Sequence, residues 1–95
     1  MTVPNGGETW AAGTSQTILW TYTGNPGAAV RIELLKGGVL NLTIASSAVI
    51  GTGGIGSYSW AIPLTQTAGA DYTVRVTSTT NAAATDVSNG QFTIQ

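Results

Sequence analysis

The chain has 95 residues, no cysteine and a formal net charge of −1, and only 7% of its residues are charged. This length predicts a single domain, residues 1–95, and the lack of cysteine excludes disulfides and thiolate metal sites, so packing must stabilise the fold. Three scattered basic residues give no patch for a nucleic acid, and no apolar run reaches the roughly 18 residues that cross a bilayer.

Short stretches in which apolar and polar residues alternate recur along the whole chain, and this period of two predicts β-strands. In chain order the predicted strands are residues 8–10, 16–22, 30–35, 40–44, 57–62, 71–77 and 91–94. Turn residues separate them, such as Pro4-Asn5-Gly6-Gly7 before the first strand and Thr23-Gly24-Asn25-Pro26-Gly27 after the second. Residues 37–38, a Gly-Gly pair, predict a hairpin between the third and fourth strands.

The sixth stretch, residues 71–77, has the most regular pattern, because Tyr72, Val74 and Val76 alternate with polar residues. We therefore predict that it is the central strand. Leu64 precedes Tyr72 by eight residues across a turn-like segment, the arrangement of a tyrosine corner in an immunoglobulin-like sandwich.

Strands separated by turns, with no helical pattern between them, predict an all-β fold. We expect a seven-stranded antiparallel β-sandwich of the immunoglobulin or fibronectin type III kind. The side chains predicted to face its core are Ile18, Trp20, Val30, Ile32, Leu34, Leu42, Trp60, Val74, Val76 and Phe92.

The chain also carries a series of motifs shared with a known family. They are residues 4–10 (PNGGETW), 18–20 (ILW), 37–38 (GG), 56–63 (GSYSWAIP), 72–78 (YTVRVTS), 86–88 (DVS) and 92–94 (FTI). Through them the chain resembles the Ser-Thr-rich GPI-anchored, yeast cell-wall-synthesis-like domain family. This resemblance implies an extracellular β-sandwich module, because members are linked to cell-wall β-glucan or appended to secreted polysaccharide-degrading enzymes. It further implies contact with a polysaccharide or oligosaccharide, and a linked catalytic domain in a larger secreted parent protein.

The sequence contains few of the residues that catalysis commonly uses. There is no histidine or cysteine, and alternation brings no two of the four carboxylates together as glycoside hydrolysis requires. Residues 51–56 match G-x-G-x-x-G, but no helix is predicted after them, so we interpret them as a loop. We expect no enzyme activity, no cofactor and no metal, although Glu8 or Asp86 with loop carbonyls leaves calcium open. Asp86 is expected to form an ion pair with Arg75.

Aromatic side chains are the first candidates for sugar binding, because pyranose rings stack on them. The competing explanation is core packing, in which aromatic side chains are equally common. The candidates are Tyr22, Tyr58, Trp60 and Trp10, and for Trp60 and Trp10 a purely structural role is the alternative. One register makes Tyr22 face Tyr58 at the loop end of the sandwich, beside residues 23–27, 46–56 and 78–85. A second candidate surface is the outward sheet face that carries Arg31 and Glu33.

Two functions follow as hypotheses. The first is a non-catalytic carbohydrate-binding module that recognises β-glucan or a related cell-wall polysaccharide, appended to a glycoside hydrolase. The alternative is a structural spacer or adhesion domain of a secreted multidomain protein, without sugar binding.

Overall fold

The computed structural model describes residues 3–22, 27–81 and 84–95, and its regular elements are all strands. They are β1 (Thr9–Trp10), β2 (Ser15–Thr21), β3 (Ala29–Lys36), β4 (Val39–Val49), β5 (Ile55–Ala61), β6 (Gly69–Ser78), β7 (Thr85–Val87) and β8 (Phe92–Ile94). The prediction of an all-β fold without helix is confirmed for this part of the chain, but the strands number eight rather than seven. No helix long and apolar enough to cross a membrane occurs within these ranges.

Two sheets make up the described part of the molecule. The larger has the order β1-β8-β6-β3-β4, with β7 also paired to β6, and the smaller consists of β2 and β5. β6 lies in the middle of the larger sheet, as predicted for residues 71–77. The prediction of a wholly antiparallel arrangement is wrong at one place, because β1 runs parallel to β8.

The predicted strands omit two parts of the larger sheet, β7 and the C-terminal end of β4. In neither part do apolar and polar residues alternate with a period of two. All three residues of β7 are exposed, so no apolar alternation marks this strand, which begins at Thr85, the last residue of the predicted loop 78–85. β4 continues to Val49, past the predicted end at residue 44, and its register against β3 shifts three times. Each shift adds a residue that reverses the alternation. Residues 23–26 of the predicted turn 23–27, and residues 82–83, lie outside the described ranges.

The two sheets bury one core between them. The inward set predicted from alternation is buried throughout, except for Leu42, which is half-buried against the rest. Three aromatic rings meet at one end of this core, since the ring centroid of Trp10 lies 5.0 Å from that of Phe92 and 6.3 Å from that of Trp60.

The tyrosine corner is present, with one difference from the expected arrangement. The Tyr72 hydroxyl donates a hydrogen bond to the Thr67 carbonyl and accepts one from Gln66 Nε2 at 2.9 Å. These two hydrogen bonds connect the start of β6 to the loop before it. Leu64 is 83% exposed and lies over Gly13 at the surface rather than in the core.

Candidate functional site

Two cavities open at the end of the sandwich where β2 finishes, and Tyr22 and Ile50 line both of them. The first has a volume of about 240 Å³. Its lining includes the buried apolar residues Trp20, Val30, Ile50 and Val76 and the polar residues Thr21, Ser78, Thr85 and Asp86. The second, of about 530 Å³, is bordered by the glycines of residues 51–54. Apolar side chains beside polar residues and one carboxylate suit a neutral polyol such as a sugar.

The lining of the smaller cavity depends on a contact between Trp20 and Gly56. These residues lie opposite each other in the β2–β5 ladder, and the Trp20 indole N–H donates to the Ile50 carbonyl at 3.0 Å. A Cβ on Gly56 would collide with both the indole and that carbonyl. Glycine is therefore required at this position so that the Trp20 ring can lie across β5.

The G-x-G-x-x-G segment turns the chain into β5. Gly51, Gly53 and Gly54 have φ angles of 111°, 65° and 83°, a region that favours glycine. A strand, not a helix, begins at Ile55, so the interpretation as a loop is confirmed for residues 51–54, whereas Ile55 and Gly56 belong to β5.

Tyr22 and Tyr58 do not face each other, so the predicted register is wrong. The ladder pairs Tyr58 with Ile18, and the Tyr22 N–H donates to the Gly54 carbonyl at 2.9 Å. The two tyrosines are thus four residue positions apart along the sheet, about 13 Å at a rise of ~3.3 Å per residue. Both are half-buried, but only Tyr22 lies at the loop end beside the cavities.

The indoles of Trp10 and Trp60 lie in the core. The two residues are 7% and 4% exposed, and their rings meet edge to face at 64°. Neither presents a ring face to a ligand, so the position of both corresponds to the structural alternative.

On the outward face of the larger sheet, Glu33 lies between two arginines. Its Oε1 accepts hydrogen bonds from Arg75 Nε at 3.0 Å and Nη2 at 2.8 Å, and its Oε2 lies 3.5 Å from Arg31 Nε. Only 6% of the Glu33 side chain is exposed, against 50% for Arg31. The carboxylate is therefore engaged within the protein, which leaves Arg31 as the more accessible of the two candidates on this face.

The predicted ion pair between Asp86 and Arg75 is wrong because of the strand register. Asp86 lies opposite Val76 in the β6–β7 ladder, and directly opposed residues share a face of the sheet. Arg75 is on the other face, beside Glu33, whereas Asp86 lines the smaller cavity.

Glu8, the other carboxylate considered for calcium, holds the N-terminal turn together. It accepts hydrogen bonds from the backbone N–H of Asn5 at 2.9 Å and of Gly6 at 2.8 Å. Partial burial acts to raise the pKa of Glu8, but the backbone N–H groups of Asn5, Gly6 and Glu8 itself outweigh it, so the pKa lies below 4.5. No cluster of three metal-ligating acidic side chains occurs among the described residues.

A comparison with protein families matches residues 3–94 to the Kre9/KNH-like N-terminal Ig-like domain. No curated protein and no solved structure matched the chain. The family match confirms the yeast cell-wall-synthesis-like part of the predicted resemblance, and it carries no information on Ser-Thr richness or a GPI anchor. Because the match covers nearly the whole sequence, the chain belongs to the Kre9/KNH-like N-terminal Ig-like domain family, which is linked to yeast cell-wall β-glucan synthesis.

Proposed function

We propose that this domain is a non-catalytic carbohydrate-binding module that recognises β-glucan or a related cell-wall polysaccharide outside the cell. The family's link to cell-wall β-glucan supports the choice of ligand class. In the parent protein the module accompanies a catalytic domain of the glycoside hydrolase kind.

The position of Tyr22 is the observation that carries the proposal. It is half-buried, follows directly on the end of β2, and lines both loop-end cavities. An aromatic side chain there offers an apolar surface for a pyranose ring, while the Asp86 carboxylate offers acceptors for its hydroxyl groups. At about 240 Å³ the smaller cavity lies just under the ~300–1,000 Å³ of drug-sized pockets, so it suits one sugar unit of a chain.

Binding without catalysis agrees with how the carboxylates are arranged. Hydrolysis of a glycosidic bond requires a pair of carboxyl groups facing each other across the substrate. Of the described residues that line the two cavities, Asp86 alone carries a carboxylate. Glu8 and Glu33 are engaged in hydrogen bonds elsewhere.

Affinity electrophoresis against soluble β-glucans, xyloglucan, xylan and mannan tests this function. We expect retarded migration on at least one β-glucan, and weaker retardation of the Tyr22→Ala variant. Leu64→Ala is a suitable control, because Leu64 is an exposed side chain that lines neither cavity. Unretarded migration of the wild-type domain on every polysaccharide would remove the proposal.

The alternative is a structural spacer or adhesion domain without sugar binding, and the burial of Trp10 and Trp60 favours it. With those two rings in the core, the loop-end Tyr22 is the main aromatic surface left for a sugar. A spacer predicts no retardation on any polysaccharide, together with a marked gain in stability when the neighbouring domains of the parent protein are attached.

A further inference from the structure

β5 is an edge strand without the features that usually protect such edges. Among the described residues it pairs with β2 alone. Its seven pairs follow one regular register with no bulge, and the strand contains neither a charged residue nor proline. Natural edge strands are commonly blunted by lysine, proline or bulges, because an open row of N–H and C=O groups can pair with another strand.

The hydrogen bonds at the two ends of the ladder determine which groups of β5 point outward. Tyr22 N–H donates to the Gly54 carbonyl at 2.9 Å, and Ile62 N–H donates to the Thr14 carbonyl at 2.9 Å. Hydrogen-bonded and non-bonded pairs alternate along an antiparallel ladder. The residues of β5 that bond to β2 are therefore Gly56, Tyr58 and Trp60.

The other residues of β5 direct their backbone groups away from β2. Ile55 is satisfied by Thr52 in the preceding turn. Ser57, Ser59 and Ala61 have no backbone partner in the described part of the chain. The same alternation holds on β2. There the backbone N–H and C=O of Leu19 point away from β5 and exchange two hydrogen bonds with Val3, at 2.8 and 3.0 Å.

Apolar side chains lie half-covered next to this open edge. The larger sheet has five strands in its main order and the smaller only two, and β4 at the edge of the larger sheet contacts β5. Leu42 and Ile44 on β4 and Tyr58 on β5 pack against the core yet are only half-buried. The smaller sheet thus lacks a strand beside β5 that would cover these side chains.

We propose that the β5 edge binds an extended, uncharged peptide segment of a partner protein, which adds a third strand to the smaller sheet. The N–H and C=O groups of alternate residues form the hydrogen bonds of such an added strand. Apolar side chains on one face of the segment cover Leu42, Ile44 and Tyr58. Neither β4 nor β5 carries a charge that could pair with a charged peptide.

A single strand is the occupant rather than a second copy of the domain. β4 contacts β5, so a second copy that paired with the β5 edge would have to accommodate β4 as well as β5. A single peptide strand brings no second sheet to this edge.

Amide hydrogen exchange measured by NMR on the intact domain tests the proposal. The probe is an acetylated and amidated heptapeptide of alternating valine and threonine. We expect the amides of Ser57, Ser59 and Ala61 to exchange rapidly in the free domain and at least about tenfold more slowly at saturating peptide. Unchanged exchange at these three amides with millimolar peptide would overturn the proposal, and so would their protection in a peptide-free dimer.

Two substitutions at one position isolate the backbone contribution. Ser59→Pro removes an N–H that makes no bond to β2 and should abolish peptide binding, whereas Ser59→Ala keeps the N–H and should bind as the wild type does. If Ser59→Pro does not fold, Ile44→Lys replaces it, since a lysine beneath the incoming strand should weaken binding at least about tenfold. Equal peptide affinity in the blocking variant and in Ser59→Ala would contradict the proposal.

Discussion

The Glu33 carboxylate accepts two hydrogen bonds from the Arg75 guanidinium, at 3.0 and 2.8 Å, across neighbouring strands of the larger sheet. Only 6% of the Glu33 side chain is exposed, while 39% of the Arg75 side chain is. The pair therefore links β3 to the central strand β6 in a partly desolvated environment, where a lost partner costs more than at the open surface.

Replacing Glu33 should destabilise the domain more than replacing its second arginine. We expect Glu33→Ala to lower the free energy of unfolding by about 2 kcal/mol, because Arg75 loses both hydrogen bonds. Arg31→Ala should cost at most about 1 kcal/mol, since its contact with Glu33 is longer and the arginine is half-exposed. Urea denaturation of both variants gives the comparison. Equal losses would mean that the Arg75 hydrogen bonds contribute little.

The Tyr72 hydroxyl offers a second stability test. Tyr72→Phe removes a hydrogen bond to the Thr67 carbonyl and leaves Gln66 Nε2 without this acceptor, while the ring stays packed against Phe92. We expect a loss of about 1–2 kcal/mol, seen as a lower thermal midpoint. Tyr58→Phe is the matched control, because the Tyr58 hydroxyl has no hydrogen-bond partner among the described residues. Similar decreases of the thermal midpoint in Tyr72→Phe and Tyr58→Phe would contradict a stabilising role for the hydrogen bonds of the Tyr72 hydroxyl.

The sequence predicted most of the core because burial follows alternation wherever the ladders are regular. The β2–β5 ladder has no bulge, so Ile18, Trp20 and Trp60 were placed correctly. The strand prediction fails where apolar and polar residues do not alternate. β7 is exposed on all three residues, and the register shifts of β4 interrupt its period of two.

The candidate site was predictable only in part. The position of Tyr22 at the loop end follows from its place at the end of a strand. The residues that lie opposite Tyr22 cannot be predicted in this way, because the register of the strand pair depends on loop geometry, which alternation does not determine. The Ile50 carbonyl that holds Trp20 is a backbone group without a sequence signal, whereas Gly56, a glycine inside a strand, is a recognisable sign of a side chain crossing close by.

Glu8 should make the stability of the domain depend on pH. Its pKa in the folded state lies below the unfolded value of 4.5, so its contribution is complete above that value and is lost as the pH falls through the folded pKa. Glu8→Gln should therefore be less stable than the wild type near neutral pH, and the difference should shrink in acid. Chemical denaturation at a series of pH values measures this difference.

The neighbouring variant Thr9→Ala serves as the control for Glu8, because it changes an exposed side chain without altering charge. Its stability difference from the wild type should be the same at every pH. A Glu8→Gln difference that stayed constant into acid would show that the carboxylate charge does not stabilise the turn of Asn5 and Gly6.

The last prediction separates a binding role from a structural one at the loop end. Tyr22→Ala should remove most of the affinity for a β-glucan oligosaccharide with little loss of stability, because a half-buried strand-end side chain leaves a small cavity. Trp20→Ala should do the opposite and destabilise the domain by about 3–5 kcal/mol, since Trp20 is 2% exposed and its indole bonds to Ile50. Calorimetric titration of each folded variant gives the affinities. Weaker binding in Arg31→Ala and Glu33→Ala, with Tyr22→Ala unaffected, would move the site to the outward sheet face. Full affinity in Tyr22→Ala, Arg31→Ala and Glu33→Ala alike would mean that sugar binds at neither surface.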